Sequence, residues 1–520
     1  MQKRLSTATL GLLLILATGA SAPAQYQGAL TAPEKMGVGF GGITAERCKE
    51  WLSVLASDEF EGRGTGHPGF QKAADFVAAR FKEFGLAPGG DNGTYFQMVP
   101  FQKTGLVLDK SSIAVDGSDL VIKAGADLDL RNRQRATEFS GTGEVVFIAS
   151  KGRQARIKDP EVLAGKIVVI TTEQGEVTVL TSQANRAGAL GVLTVREKLR
   201  PPTSDVSYLG EKTIVEGEAR KAERVSGSIS RAAAESLAKA LGVDAKFLSI
   251  ENAGDGPIMA EAKDKKVTIT AAWKSEAIGV PNVLGKLEGA DPVLAKEYVI
   301  CGSHLDHIGV GADGVVNNGA DDDGSGSTAL LAVARAFATN GVRPKRTLIF
   351  IAVCGEEMGL LGSNWYVEHP IYPLADTVCE LQMDMVGRNE ESVPGENAPG
   401  EKAEDNVQTT HLVGSKKLST ELHEIVIDCN KHVGFTFEYD EEDVYTRSDH
   451  YNFARKGIPI CFFFSGFHRD YHRPTDDVEK INFEKIANTA KLVYTTAFTV
   501  ADKAERVTVD KKPAKKVQGD

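Results

Sequence analysis

Positive charge is the first thing this 520-residue sequence lacks. Its 60 Lys and Arg face 71 Asp and Glu, for a net charge of −11. Neutralising a phosphate backbone needs a basic surface, so no nucleic-acid partner is expected. Cysteine is also scarce. The six present show neither the dense spacing of a disulfide framework nor a C-x-x-C metal pair. Cys301, Cys354, Cys379 and Cys461 lie in apolar strand-like runs, and Cys48 and Cys429 in helix-like segments, so buried thiols are expected and no bridge is predicted. Beyond the N-terminus no apolar run approaches the roughly 20 residues that span a bilayer, which argues against a membrane anchor. Tandem repeats are missing too, excluding solenoids and propellers. Glycine, by contrast, is plentiful at 53 residues, pointing to many tight turns and close backbone approaches. With 42% hydrophobic and 25% charged residues, the chain is long enough for two to four globular domains at roughly 100–200 residues each.

The N-terminus reads as an export signal. Lys3 and Arg4 precede the apolar run Leu10 to Ala17 (LGLLLILA), and the small residues of ATGASAPAQ place the cut after Ala24. No Cys stands at the cut for lipid attachment. The expectation is therefore a signal peptide over 1–24 and a periplasmic or extracellular protein with no membrane anchor.

Texture divides the rest. Thr44 to Leu55 and Phe70 to Phe84 have helical spacing, with Gly85 where a C-terminal glycine belongs and the Gly-rich stretch EFEGRGTGHPG (Glu59 to Gly69) between them. Short β-rich runs follow, such as Gly143 to Ser150 and Gly165 to Glu173, along with a helical patch over Ser182 to Val195. From Asn282 apolar strands alternate with amphipathic helices. Strands are predicted at Glu297 to Gly302, Thr347 to Cys354, Thr377 to Met385 and Pro459 to Ser465, and helices at Ser327 to Ala338, Met358 to Val367 and Ser419 to His432. This pattern predicts an α/β fold with a mixed, mostly parallel central sheet flanked by helices on both faces. The expected domains are an N-terminal part of the main domain over 25–124, a β-rich insert over 125–268, the catalytic part over 269–503 and a flexible tail over 504–520.

Five potential metal ligands stand at or just beyond predicted strand ends. His304 follows YVICGS, Asp322 lies in NNGADDDGSG, Glu357 follows TLIFIAVCG, Asp384 ends ELQMD, and His472 follows PICFFFSG by a short loop. Strand ends of a doubly wound sheet converge on one crevice. Two imidazoles and three carboxylates suit two Zn²⁺ with one carboxylate between them, and Mn²⁺ or Co²⁺ remain open. Of the adjacent acids, Glu357 is read as a ligand and Glu356 as the proton acceptor from the attacking water. Asp306, two residues beyond His304, is expected to orient that imidazole.

HLDH (His304 to His307), GADDDGSG (Gly319 to Gly326), CGEEMGLLGS (Cys354 to Ser363), QMDMVG (Gln382 to Gly387) and YHRPTDD (Tyr471 to Asp477) together resemble zinc exopeptidase family twenty-eight. The resemblance runs over about 30–125 and 270–500. It implies a zinc exopeptidase (phosphorylase/hydrolase-like) fold, with His304 and Asp384 on one zinc, Glu357 and His472 on the other, Asp322 bridging and Glu356 as general base. Tyr445 would steady the tetrahedral intermediate, and the insert resembles a protease-associated domain. His307, His450, His468 and Asp449 match no ligand position and are expected in supporting roles. Phe462, Phe463 and Phe464 read as a buried strand. One acid of EYDEEDVY (Glu438 to Tyr445) could hold a substrate's α-ammonium group.

The resulting expectation is an exported metallo-aminopeptidase acting on peptide substrates with two Zn²⁺ per chain. A carboxypeptidase or dipeptidase remains the alternative through Arg388, Arg447 and Arg473. A receptor-like relative without activity is disfavoured, because every ligand and the base are present. Side-chain preference and oligomeric state are not legible.

Overall fold

The computed structural model describes residues 25–131, 136–151, 154–172, 179–199, 204–212, 221–254, 256–311, 314–397, 399–439 and 442–511. The export segment and most of the tail read from the sequence lie outside these residues. The main body opens with helices α1 (Ala45–Leu55) and α2 (Pro68–Glu83). Thr44 caps α1 by accepting the Arg47 N–H at 3.3 Å, and Pro68 opens α2 where its missing N–H costs nothing. Gly85 follows α2 with φ +83°, in the left-handed conformation anticipated for it.

Seven strands matter for the site: β1 (Phe96–Leu106), β2 (Ile258–Leu287), β3 (Tyr298–His304), β4 (Thr347–Val353), β5 (Thr377–Met383), β6 (Thr409–Val413) and β7 (Ile460–Phe464). Their order in the main sheet is β1-β2-β4-β3-β5-β7-β6. The central four, β4, β3, β5 and β7, are parallel, while β1, β2 and β6 run antiparallel to their neighbours. Every residue of β4, β5 and β7 is buried, which is why these strands read as continuous apolar runs. Helices α3 (Gly324–Thr339) and α4 (Phe483–Asp502) pack against each other beside this sheet, and Phe337 stacks on Phe498 at 6.0 Å between ring centroids. Asn482 caps α4 by accepting the Lys485 N–H at 3.1 Å.

A second sheet has its own apolar core, from Ile113 to Trp273. Its strands begin at Ser112, ahead of the 125 read from the sequence, and its outer strand Val121–Lys123 pairs with Ser112–Val115. The predicted helix over Ser182 to Val195 proves to be two elements. A helix at Val179–Arg186 stops before Gly188, at φ +80°, and Gly191–Arg196 becomes a buried strand. The two sheets share β2. Its first half pairs with Glu138–Ala149 of the second sheet, and its second half with β1 and β4 of the main one. All six cysteines are buried and unbridged. No described helix is long and apolar enough to cross a membrane.

Candidate metal centre

Parallel strands end on the same side of the sheet, and here each ending delivers an acid or imidazole. His304 closes β3, Glu356 and Glu357 follow β4, and Asp384 follows β5. Asp322 comes from the loop before α3, and its neighbour Asp323 caps that helix by accepting the Gly326 N–H at 2.9 Å. His472 arrives from the loop after β7, with φ +54°. The contacts form two connected groups. His304 Nε2 lies 3.3 Å from Asp322 Oδ1 and 3.4 Å from Asp384 Oδ1. On the other side, His472 Nε2 lies 3.1 Å from Asp322 Oδ2 and 3.1 Å from Glu357 Oε2. The Asp322 carboxylate thus presents one oxygen to each group, whereas Asp323 spends both oxygens on the backbone N–H groups of His304, Gly326 and Met385.

The electrostatics call for a cation. Burial, reinforced by Asp384, Asp449 and Glu357 and opposed by His304, holds the Glu356 carboxyl well above its usual range. Burial also dominates Asp323, which rises likewise. Asp322 goes the other way: its contacts to His304 and His472 overcome burial and hold it well below the carboxylate range. Burial alone would lower His472, yet Asp322 and Glu357 lift it to about 10. The acids thus favour protonated imidazoles at His304 and His472, charge that a divalent metal would replace. Nitrogen and oxygen donors 3.1–3.4 Å apart, all but His472 largely shut off from solvent, fit such an ion.

Asp306 sits beneath both groups. Its carboxylate accepts the N–H of Glu356 at 3.1 Å and of Glu357 at 3.3 Å, plus the Thr65 hydroxyl at 2.8 Å. His304 Nδ1 lies nearer the Asp306 main-chain oxygen, at 3.1 Å, than the carboxylate, at 3.8 Å. Asp306 thus orients the imidazole mainly through its carbonyl, while its side chain fixes the Glu356–Glu357 turn.

Thr65 belongs to the Gly-rich EGRGTG stretch, which the sequence reading left without a role. Arg63, in the same stretch, is wholly buried, and its guanidinium donates to the carbonyls of Leu305 (2.9 Å), Leu55 (2.9 Å), Asn318 (2.7 Å) and Gly319 (2.8 Å). It ties the loops carrying His304 and Asp322 to the N-terminal segment. Gly62 permits the approach, since a Cβ there would stand 2.2 Å from the Asn317 oxygen. Arg63→Met should strand these buried acceptors, at about 1–3 kcal/mol each, and lower stability by about 4 kcal/mol or more; the urea midpoint measures it. A lone arginine among glycines was the one signal in sequence for this clamp.

A cavity of about 40 Å³ opens beside the acids, lined on its apolar side by Met385, Val444, Phe462, Phe464 and Phe467. Phe463 points the other way into the main core; all three members of the FFF run lie in a buried strand, as the sequence suggested, and Phe462 and Phe464 also face the cavity. Tyr445 is not among the lining residues. Its ring packs on His450 and Tyr451, hard against Gly414. Tyr471 lines the cavity instead, its ring stacked on His472 at 4.0 Å and its hydroxyl 3.3 Å from Arg447. Of the three arginines singled out, only Arg447 lines the cavity. Arg388 pairs with Asp470 at 3.1 Å, and Arg473 is exposed.

The supporting residues also find places. Ser448 donates to Asp384 at 2.7 Å, the Ser363 hydroxyl donates to Asp449, and Asp476 accepts the Asp321 and Asp322 N–H groups. His450 stacks on Phe462, burial pushing it down to about 3, and His468 faces Asp321 at 3.3 Å. His307 departs from expectation and joins the second group, its Nδ1 2.8 Å from Glu357 Oε1. Of the acidic run, Asp440 and Glu441 lie outside the described residues.

A mixed sheet with imidazoles and carboxylates gathered at its parallel strand ends defines an α/β fold with a candidate metal centre. Residues 282–497 match the model of Peptidase family M28. Leupeptin-inactivating enzyme 1 of Streptomyces exfoliatus is 30% identical over 214 residues, 41% of either chain. A probable leucine aminopeptidase of Arthroderma benhamiae is 27% identical over 218 residues, which cover 40% of this chain and 56% of that one. The chain thus spans about half the length of these relatives. Among solved structures, a zinc aminopeptidase from Bacillus subtilis shares the fold, with a TM-score of 0.51 and 18% identity over 90% of this chain and 98% of that one.

Proposed function

We propose that the protein is an exported aminopeptidase that uses two zinc ions to remove N-terminal residues from peptides. The observation that carries this reading is the Asp322 carboxylate, with Oδ1 turned to His304 and Oδ2 to His472. His304 and Asp384 would hold one ion, His472 and Glu357 the other, with Asp322 between them. When bound, the pair supplies Lewis acidity to the scissile carbonyl and to the attacking water.

The chain's own groups do the rest. Glu356, with Oε2 4.0 Å from His304 Nε2 and its carboxyl only 11% exposed, takes the proton of the attacking water and returns it to the departing amine. Asp306 holds the Glu356 backbone for that transfer. Tyr471 takes the role of donor to the developing oxyanion in place of Tyr445, since it is the tyrosine that lines the cavity. The apolar pocket receives the side chain of the first residue. Its aromatic walls and small volume favour small or medium apolar side chains. The second sheet fills the position of a protease-associated insert, and residues 1–24 serve as the export signal.

A second reading, a carboxypeptidase, draws on Arg447 at the cavity, although Glu396 already engages its guanidinium at 3.0 Å. Peptides with free or acetylated N-termini separate the two. Chelator-sensitive shortening of only the free-amine peptides, followed by mass spectrometry, is the expected result. Shortening from the C-terminus would replace the aminopeptidase reading with the Arg447 one.

A further inference from the structure

The HLDH motif carries a second histidine, and the fold gives it a position that the five-ligand reading does not use. His307 is buried, at 1% exposure. Its Nδ1 stands 2.8 Å from Glu357 Oε1 and 3.6 Å from Asp322 Oδ2. His472 approaches the same two acids, at 3.1 Å each, and the same Asp322 oxygen. The two rings meet edge to face with centroids 5.8 Å apart. Beyond that contact of Nδ1 with Glu357, the ring has no hydrogen-bond partner among the described residues, and both nitrogens are shut off from solvent. An imidazole in that state costs free energy unless something completes it.

From this geometry we infer that His307 is a further ligand of the second metal pocket, which therefore offers two imidazoles, Glu357 and one oxygen of Asp322. Zinc–nitrogen and zinc–oxygen bonds of about 2.0–2.2 Å put tetrahedral donors about 3.3–3.5 Å apart. The four contacts to His307 and His472, from 2.8 to 3.6 Å, bracket that spacing.

The two pockets are consequently unequal. The first has one nitrogen donor, His304, with Asp384 and the other oxygen of Asp322. Imidazole-rich sites hold zinc, copper and nickel better than oxygen-rich ones do. The second pocket should fill first and release its metal last, leaving the His304 pocket as the exchangeable one. His307 also comes from the same loop as His304, on the end of β3. One short segment would thus supply a ligand to each ion and set their separation.

The inference rests on the two-zinc reading, and its test keeps the two apart. X-ray absorption on the fully loaded wild-type protein counts imidazoles per zinc: three shared by two ions is the expected result, and two shared by two overturns it. Zinc titration of the apo-protein against a competing chelator then compares wild type with His307→Ala and His307→Gln. Both variants should lose affinity for one zinc by about 100-fold or more, the upper end of what supporting residues contribute, and keep the other. Glutamine can still donate a hydrogen bond to Glu357, so wild-type affinity in His307→Gln would reduce His307 to a hydrogen-bonding partner and sink the ligand assignment. A wild-type protein that holds no second zinc would instead remove the two-zinc reading itself.

Discussion

Glu356→Gln should lower peptide hydrolysis by about 10²–10⁴-fold, the contribution of a positioned general base, while leaving the protein folded and its metal content unchanged. The amide is nearly isosteric and still fills the space against His304, but it cannot accept the proton of the attacking water. The wild-type carboxyl is suited to the task because burial holds it well above the usual range, with Asp384, Asp449 and Glu357 acting in the same sense and His304 against them. A raised proton affinity favours taking the proton of the attacking water. Steady-state kinetics with elemental analysis of the same preparation makes the check. Substantial residual activity with full metal content would move the base elsewhere, and Asp449, a buried acid whose charge acts on Glu356, would be the next candidate.

The second large effect is expected at Asp322. Each of the other ligands touches one group, whereas Asp322 Oδ1 and Oδ2 serve both. Asp322→Ala should therefore weaken both metal pockets together, by at least about 100-fold each, and abolish activity with them. Asp384→Ala, by comparison, should empty only the His304 side. The contrast is read by metal content after dialysis against a chelator: near none for Asp322→Ala and about one ion for Asp384→Ala. Equal losses in the two variants would mean that Asp322 does not bridge. Chelation of the wild-type protein should also lower its thermal stability, because the remaining acids are then held together by protons on His304 and His472. The loss should be largest at high pH, where those imidazoles give up the protons that contact with Asp322 and Glu357 lets them keep; His472 keeps its own up to about 10.

Legibility in the sequence followed the reach of the interactions concerned. The helices α1 and α2, and strands β3, β4, β5 and β7, are recognisable because local spacing and continuous apolar runs report their burial directly. Strand β2 is not, since its thirty residues include Gly279 and Pro281 and its pairing partners all lie more than about sixty residues away, most of them more than a hundred. The end of the Ser182 to Val195 patch failed for a related reason. Gly191–Arg196 has the composition of either element, and pairing with strands at Ile167–Thr171 and Val225–Ser230 decides for strand.

The site divides in the same way. Residue chemistry at strand ends sufficed to single out His304, Asp322, Glu356, Glu357, Asp384 and His472, because the donors available to a metal are written in side-chain type and order. Which tyrosine reaches the cavity was not decided there: Tyr471 opens the YHRPTDD motif and Tyr445 lies outside the motifs, and only the folded structure shows Tyr471 in the lining and Tyr445 packed against Gly414. Nor was the strand face that turns Phe462 and Phe464 toward the cavity and Phe463 into the core. Arg63 and His307 were visible only as a charge in a glycine loop and a spare imidazole. Their partners, the carbonyls of Leu305 and Gly319 for one and the acids Glu357 and Asp322 for the other, come from distant segments. Sequence by itself determined which groups could take part. Proximity decided which do, because a hydrogen bond or a shared cation depends on ångström distances between segments that only the folded sheet brings together.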